Sequence, residues 1–151
     1  MDIFSQGINI CAAFLPVNRK LMVLQRNENL IDGMKWELPG GKLEQNESFE
    51  EAIKRECKEE LSIDINPIEE VGSVELTQGD VVSMFMFILI SGDVSKIKLK
   101  DHREIRYVTF NELKNLDLSS VSLYAFINHF NSNCFTIGIF DKSSPKQSLP
   151  L

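Results

Sequence analysis

A stretch of the sequence with helical hydrophobic periodicity carries two glutamates where the pattern calls for apolar side chains. Phe49, Ala52 and Ile53 recur at helical spacing and define the stripe that faces the core. Glu56 and Glu60 are four positions apart, so they stack one above the other on that stripe. Two ionised carboxylates there repel each other and lose hydration, which is costly unless a cation lies between them. The pattern therefore predicts a divalent cation.

Glu59 and a glycine turn complete the candidate cation site. Glu59 projects to one side of the stripe that holds Glu56 and Glu60, close enough to join their cluster. Gly40 and Gly41 precede the helix, and the absence of a Cβ lets their backbone groups approach a ligand. The alternative is a solvated acidic helix held by Glu/Lys pairs. The place of the glutamates on the apolar stripe, behind a glycine turn, favours the cation.

Local signals define the helix that must position these glutamates. Ser48 and Glu51 have the spacing of a capping box, which predicts a helix that begins at about Phe49. Ser62 and Asp64 are residues typical of a helix end. The sequence therefore predicts a glycine loop followed at once by the helix that carries the acidic cluster.

With this spacing, the segment resembles the signature of the Nudix hydrolase family, G-x5-E-x7-R-E-U-x-E-E-x-G-U, in which U is aliphatic. Every charged position matches, and the two departures are Cys57 for an aliphatic residue and Ser62 for glycine. Cysteine is a small buried hydrophobe, and Ser62 affects only the geometry of the helix end. The resemblance extends to the preceding WELPGG and the later REIRYVTFNEL. The matching residues are Gly41, Glu47, Arg55, Glu56, Glu59 and Glu60.

The resemblance implies a fold, a reaction and a cofactor. The fold is α/β, a Nudix-type α/β/α sandwich with a mixed β-sheet between helices. The reaction is hydrolysis of a nucleoside diphosphate linked to another group. The cofactor is Mg²⁺ or Mn²⁺, which Glu56, Glu59, Glu60 and the Gly40 carbonyl hold. Such an ion neutralises the pyrophosphate and activates a water for attack on phosphorus.

The resemblance also assigns supporting and proton-transfer roles. It implies that Glu47 pairs with Arg55 and braces the glycine loop against the helix, which positions the ligands. The general base remains open. A glutamate of the signature is one candidate, and Glu104, in the loop before a predicted strand, is another. His102 lies in the same loop and is a further candidate, because imidazole can accept a proton near neutral pH.

Three residues near the glycine loop are predicted to contact the substrate. Arg26 follows a strand-like run and can bind phosphate, although an arginine there is more often a surface charge. Trp36 can stack on a base or ribose, although a core position is the commoner one for tryptophan. Leu38 lies between Trp36 and the glycines, and we expect it to line the substrate site.

The substrate class is inferred from what the sequence shares with subfamilies and what it lacks. WELPGGKLE resembles the MutT-type branch, which implies that a nucleoside or deoxynucleoside triphosphate yields the monophosphate and pyrophosphate. Gln78 and Gly79 stand where some relatives that act on ADP-ribose or dinucleoside polyphosphates carry proline or tyrosine. Ser119, Ser120 and Ser122 stand near the place of the base-reading asparagine of the enzymes for oxidised guanine. Alternatives are another nucleoside diphosphate derivative, including ADP-ribose, dinucleoside polyphosphates and nucleotide sugars, or a non-catalytic nucleotide-binding module.

Runs of β-compatible residues predict the strands of the sheet. Residues 8–15 and 21–25 are apolar and flank a polar turn, which predicts a hairpin of central strands. Residues 69–77 and 81–90 flank a Gln-Gly-Asp turn and predict a second hairpin, whose second strand is buried on both faces. A further strand is predicted over residues 105–110.

Helices and a tail are predicted after the last of these strands. Thr109 and Glu112 form a second capping box, which predicts a short helix. Residues 119–130 carry a wide apolar face and predict a helix packed across the sheet from the acidic helix. A strand is possible over residues 134–140, and the polar end, residues 142–151, suits a flexible tail.

Composition limits the class of protein. The chain has 151 residues, which predicts one domain with a substantial core. Its net charge of −6 argues against a stable nucleic-acid partner, whose phosphates need a basic face. Three cysteines suit reduced thiols, and neither a signal peptide nor a membrane-spanning run is evident. We therefore expect a cytoplasmic monomer or homodimer without a membrane partner. No D-x-D-x-D-G loop supports a calcium-binding protein instead.

Overall fold

The computed structural model describes residues 8–119 and residue 122. It contains two sheets of four strands each, and the larger one has the longer strands. The central strands, β1 (Ile10–Phe14) and β7 (Val81–Gly92), are parallel. The outer strands, β5 (Gly40–Lys42) and β6 (Ile65–Gln78), pair antiparallel with β1 and β7 respectively, which gives the order β5-β1-β7-β6. The sheet is therefore mixed, and the predicted α/β class is confirmed.

A smaller sheet is built around β3 (Lys20–Gln25). One side of β3 pairs antiparallel with β8 (Glu104–Val108) along its length. The other side pairs with β2 (Pro16–Val17) at the start of β3 and with β4 (Trp36–Glu37) at its end. This sheet carries the segments that lead into the glycine loop and out of the 97–103 loop.

The predicted hairpin between residues 8–15 and 21–25 is wrong, because β1 and β3 belong to different sheets. Pro16 has no N–H for a sheet ladder, so it does not extend β1. The hairpin lies between β2 and β3, where Asn18 and Arg19 both adopt positive φ angles of 52° and 64°. That pair of angles is typical of the tight type I′ turn, whose twist matches the strands.

The acidic helix forms as its end signals predict. Helix α1 (Phe49–Leu61) has Ser48 as its N-cap, and both hydrogen bonds of the Ser48–Glu51 capping box are present. Ser62 ends it in the left-handed conformation at φ 63°, where the signature has glycine. The Ser62 hydroxyl donates to the Lys98 carbonyl at 3.0 Å, which offsets part of the cost of that conformation.

The second predicted hairpin is present, but its first strand begins earlier than expected. The strand β6 starts at Ile65, so Pro67 does not break it. Proline is tolerated there because β6 is the edge strand and its register with β7 shifts between Pro67 and Glu69. The later half of β7 is buried on both faces, as predicted, with Phe87 and Ile88 each 2% exposed.

Two apolar clusters lie on the two faces of the larger sheet. Along β1, Ile10 and Phe14 belong to one cluster, and Cys11 and Ala13 belong to the other, as the alternation of a strand requires. The second cluster contains the buried face of α1. Acidic residues of α1 that face this side are thereby held at the edge of a packed core.

The last described helix, α2 (Phe110–Lys114), begins with the predicted Thr109–Glu112 capping box. The helix predicted over residues 119–130 lies almost entirely outside the described residues, as do the strand over 134–140 and the tail over 142–151. In the described part of the chain, no helix has the length and apolar character needed to cross a membrane. The single-domain organisation and the cytoplasmic location stay predictions.

Candidate active site

The glycine loop lies between β1 and the carboxylates of α1. Gly40 has a φ of +147°, and a Cβ there would collide with the Cys11 carbonyl of β1. Gly41 pairs with Cys11, and a Cβ on Gly41 would stand 2.6 Å from Oε1 of Glu56. Gly40 is therefore required by its backbone, whereas a side chain at Gly41 would displace the Glu56 carboxylate from the loop.

Glu60 is a largely buried ligand candidate on α1. Its Oε1 accepts a hydrogen bond from the Gly40 N–H at 2.8 Å, and its side chain is 17% exposed. Burial raises the pKa of Glu60 to about 9, and the Gly40 N–H opposes this shift, while the charges of Glu56, Glu37 and Glu59 add to it. The carboxylate is thus held in place without a full positive partner.

Glu56, one turn before Glu60, is buried to a similar degree. Burial raises the pKa of Glu56, although the Arg55 guanidinium donates to its Oε1 at 2.9 Å and lowers it in part. The exposed Glu59 accepts a longer bond from Arg55, at 3.3 Å. The structure therefore brings Glu56, Glu59 and Glu60 together on one side of α1, next to Gly40 and Gly41.

Arg55 binds Glu47 in the bidentate manner that the sequence resemblance implied. Nε and Nη2 of Arg55 donate to the two oxygens of Glu47 at 2.7 and 2.9 Å. Nη2 also donates to the Lys42 carbonyl at 3.0 Å. The Arg55 hydrogen bonds lower the pKa of Glu47 to about 2. Arg55 thus ties β5 and the following loop to α1 and leaves its Nη1 for Glu56 and Glu59.

A cavity of about 720 Å³ opens beside this cluster. Its charged wall carries the three carboxylates of α1 together with basic side chains from the loops. Its apolar wall comes from both sheets. The charged residues are Glu56, Glu59, Glu60, Glu37, Asp32, Asp101, Arg26, Lys42 and Lys100, and the apolar ones include Ile10, Val23, Leu38, Phe85 and Phe87. An elongated ligand with one anionic end and one apolar end suits this lining.

Two of the three predicted substrate contacts lie at the cavity, and the third lies in the core. Arg26 and Leu38 line the cavity. Trp36 is 5% exposed, belongs to the core beside Phe14, and does not line the cavity. Its outer ring face is covered by Arg106, whose guanidinium carbon lies 4.4 Å from the ring centroid. The structure thus places Trp36 in the core position that the sequence analysis considered the commoner one.

The candidate bases Glu104 and His102 also differ in whether they line the cavity. Glu104, the first residue of β8, pairs with Gln25, lies 3.8 Å from the Arg106 guanidinium, and does not line the cavity. Asp101 and His102 do line it. The His102 ring is 10% exposed, and its Nε2 lies 3.9 Å from Oε2 of Glu60. Of the two candidates in that loop, the structure brings His102, and not Glu104, to the acidic cluster.

Glu37 is a site residue that the sequence analysis missed. It lines the cavity, and its carboxylate contacts both Arg26 and His102. The available signal was strand alternation, because a residue next to the buried Trp36 must project to the opposite face. Its partners are distant in sequence, and nothing in the spacing of the residues connects them.

The residues of the cluster fit a hard divalent cation. Such ions take carboxylate and carbonyl oxygens, which Glu56, Glu59, Glu60 and the glycine loop supply. Burial is the main cause of the raised pKa values of Glu56 and Glu60, because it disfavours the charged form of a carboxyl group. A cation would offset this cost of burial by neutralising the carboxylates. Glu37, Glu60 and His102 also have ligand atoms within 4.8 Å of one another. The identity of the ion and the individual ligand roles stay predictions.

Comparisons with known proteins agree with this geometry. A family model described as "NUDIX domain" matches residues 7–129. The chain is similar to an 8-oxo-dGTP diphosphatase of Proteus vulgaris, with 60% identity over 30 residues that make up 20% of this chain and 27% of the relative. It is also similar to a putative 8-oxo-dGTP diphosphatase 2 of Mycobacterium tuberculosis, with 31% identity over 55% of this chain and 60% of the relative.

Among solved structures, the chain is similar to a MutT protein from Methanosarcina mazei Go1. The TM-score is 0.65 at 25% identity, over 85% of this chain and 96% of that one. The chain spans less than two thirds of the length of each of the two diphosphatases that it matches.

Proposed function

Because the chain belongs to the Nudix family, we propose that it hydrolyses a phosphoanhydride bond of a nucleotide with the help of a divalent cation. The observation that carries this proposal is the cavity, in which the carboxylates of α1 face an apolar wall large enough for a base and sugar. Similarity to proteins named as nucleotide diphosphatases supports it. The preferred substrate is a nucleoside or deoxynucleoside triphosphate, and the products are the monophosphate and pyrophosphate.

In this proposal, the charged residues bind either the cation or the substrate. Glu56, Glu59 and Glu60 hold Mg²⁺ or Mn²⁺ together with the Gly40 carbonyl. The ion, when bound, neutralises the polyphosphate and makes a water more acidic and therefore a better nucleophile. Arg26, which lines the cavity, binds a phosphate oxygen of the substrate.

The remaining residues orient this set and move the proton. Arg55 and Glu47 keep the glycine loop against α1, so the ligands remain in place when substrate arrives. Glu104 lies outside the cavity lining, and of the two ring nitrogens of His102 one contacts Glu37 and the other is buried. A glutamate of α1 is therefore the group that takes the proton from the attacking water. Leu38 contributes to the apolar wall that takes the base and sugar.

A substrate panel tests the proposal. Nucleoside and deoxynucleoside triphosphates, 8-oxo-dGTP, ADP-ribose, dinucleoside polyphosphates and nucleotide sugars are each incubated with Mg²⁺ or Mn²⁺, and all phosphorus products are identified. We expect monophosphate and pyrophosphate from triphosphates, and no turnover after chelation of the metal. Orthophosphate as the sole inorganic product would contradict the bond assigned. Turnover confined to ADP-ribose would overturn the substrate class, and tight binding without turnover would identify a non-catalytic module.

A further inference from the structure

Glu37 occupies a position between the two sides of the cavity. It is the second residue of the short strand β4, directly after the buried Trp36 and one residue before Leu38. The alternation of the strand turns its side chain away from the Trp36 side and towards the cavity. A partly buried carboxylate at this point needs partners, and the two it has come from distant parts of the chain.

Both oxygens of Glu37 have partners in the described part of the chain. Nη1 of Arg26 donates to Oε1 at 3.0 Å and, over a longer distance of 3.3 Å, to Oε2. Oε2 also lies 2.8 Å from Nε2 of His102. That same Nε2 is 3.9 Å from Oε2 of Glu60, whose other oxygen is held by Gly40. Short contacts therefore link Arg26, Glu37 and His102, and His102 lies beside the acidic cluster.

The burial of the His102 ring determines which of its nitrogens carries the proton. Nδ1 is buried and has no hydrogen-bond partner among the residues that the structure describes. A proton on Nδ1 would be an unsatisfied buried donor, whereas a carboxylate oxygen at Nε2 can only accept. The contact with Glu37 therefore requires the Nε2–H form of the ring. Glu37 thus sets both the orientation and the tautomer of His102.

Arg26 is oriented by the same carboxylate. Its Nε donates to the Ile31 carbonyl at 2.9 Å, and its Nη1 donates to Glu37. The hydrogen bonds of Arg26 within the described part of the chain use Nε and Nη1, which leaves Nη2 for an anionic oxygen of a ligand. Without Glu37, the guanidinium would lose the partner that fixes its plane.

We propose that Glu37 is a positioning residue: one carboxylate oxygen orients Arg26 for the polyphosphate, and the other holds His102 as the Nε2–H tautomer next to Glu60. The proposal rests on the proposed function, because it assigns Arg26 to a phosphate of the substrate. Its consequence is that neutralising Glu37 disturbs two residues at once.

Glu37→Gln is the informative variant. An amide has one acceptor oxygen and one donor nitrogen, so it cannot accept from Arg26 at the Oε1 position and from His102 at the Oε2 position. If the amide nitrogen faces His102, the ring proton must move to the buried Nδ1, and if it faces Arg26, two donors meet. We expect the KM for the preferred nucleotide to rise about tenfold, with a smaller fall in kcat. Glu50→Gln, which neutralises an exposed glutamate of α1 paired with Lys54, is the matched control and should leave both constants unchanged.

Two variants of His102 test whether a hydrogen-bond donor at the position of Nε2 matters, or only the presence of a polar side chain. Glutamine places its amide nitrogen near the position of Nε2 and can still donate to Glu37, whereas asparagine reaches only near Nδ1. We expect His102→Gln to retain activity within about threefold of the wild type and His102→Asn to lose about tenfold or more. Equal activity of the two variants, or a better Asn variant, would mean that the contact with Glu37 is not what matters.

A spectroscopic measurement needs no substrate and therefore separates this proposal from the proposed function. The chain has two histidines, His102 and His129, so the His102 ring nitrogens can be assigned in ¹⁵N NMR spectra by comparison with His102→Gln. At alkaline pH we expect the Nε2–H tautomer in the wild type and a shift towards Nδ1–H in Glu37→Gln.

The kinetic and the NMR measurements give distinct outcomes. An Nδ1–H ring in the wild type, or the same spectrum and kinetics in Glu37→Gln as in Glu50→Gln, would overturn the proposal. If the wild type turns over no nucleotide, the proposed function has failed, and the tautomer measurement alone decides whether Glu37 positions His102. If Glu37→Gln does not fold, the wild-type spectrum and the His102 pair still decide it.

Discussion

Two glutamates on either side of Arg55 have opposite electrostatic environments. Glu47, in the loop before α1, shares two short hydrogen bonds with Arg55, which lower its pKa to about 2. Glu60, further along α1, accepts a hydrogen bond from the Gly40 N–H, and burial raises its pKa to about 9. Among the described residues, Arg55 neutralises Glu47, whereas no lysine or arginine pairs with Glu60. The first arrangement supports the fold, and the second suits a cation from outside the chain.

Removing the charge of Glu60 should produce the largest effect on activity, and it leaves the pair of Glu47 and Arg55 unchanged. In Glu60→Gln, the amide oxygen can still accept from Gly40, so the loop keeps its position. We expect kcat to fall by about 10²–10⁴-fold through the loss of a cation ligand, while the metal-free protein melts at the wild-type temperature or above it. Steady-state kinetics and thermal melts measure both. Undiminished Mg²⁺-dependent turnover would refute the role assigned to Glu60.

Removing the cation of Arg55 should break the first arrangement. In Arg55→Ala, Glu47 loses both short hydrogen bonds and the glycine loop loses its tie to α1. We expect unfolding to become easier by about 1–3 kcal/mol and activity to fall at the same time. Chemical denaturation and kinetics measure the two losses.

Two further variants sharpen the result for Arg55. Arg55→Lys keeps the charge but cannot form the bidentate contact, so an intermediate loss is expected. Lys54→Ala removes an exposed lysine that pairs with Glu50 at 3.5 Å, and it should cost less than about 0.5 kcal/mol. Loss of activity in Arg55→Ala with unchanged stability would instead indicate that Arg55 acts on the substrate.

The pH dependence of stability should also distinguish the two glutamates. Glu60 has a folded-state pKa of about 9 against an ordinary 4.5, so the folded protein holds a proton that the unfolded chain releases between those values. The metal-free protein should therefore lose stability as pH rises through that window, by at most about 1.4 kcal/mol per pH unit. Glu47, with its lowered pKa, stabilises the fold above pH 4.5 and loses that contribution as pH falls towards 2.

Added Mg²⁺ provides the measurement for Glu60. Because the ion competes with a proton for the carboxylate, the rise in melting temperature on adding Mg²⁺ should grow from acidic to alkaline pH. In Glu60→Gln that growth should be reduced. An Mg²⁺ effect that is independent of pH in the wild type would mean that the shifted group is not where the ion binds.

The parts of the site that were predictable from sequence are those that lie on one helix or next to it. The ends of α1 follow from Ser48, Glu51 and Ser62. The partial burial of Glu56 and Glu60 follows from their place on the apolar stripe. These signals are local, because helical periodicity and capping depend on residues a few positions apart.

The parts that could not be predicted depend on contacts between distant segments. Glu37 meets His102 only because β4 and the 97–103 loop both flank β3. Trp36 is covered by Arg106 of a neighbouring strand, which no spacing in the sequence indicates. The apolar run of β1 predicted a strand but not its partner, since a parallel and an antiparallel neighbour can both accept it.

The parallel pairing of the two central strands also has a consequence for how the chain folds. Ile10 pairs with Phe85, so the middle of the larger sheet forms only when nearly the whole intervening chain has been brought round. The β6–β7 hairpin, by contrast, closes over the short turn at Gly79 and can form on its own. We expect the hairpin to be an early event and the docking of β1 a late one, and a nascent chain on the ribosome to complete its sheet only after β7 has emerged.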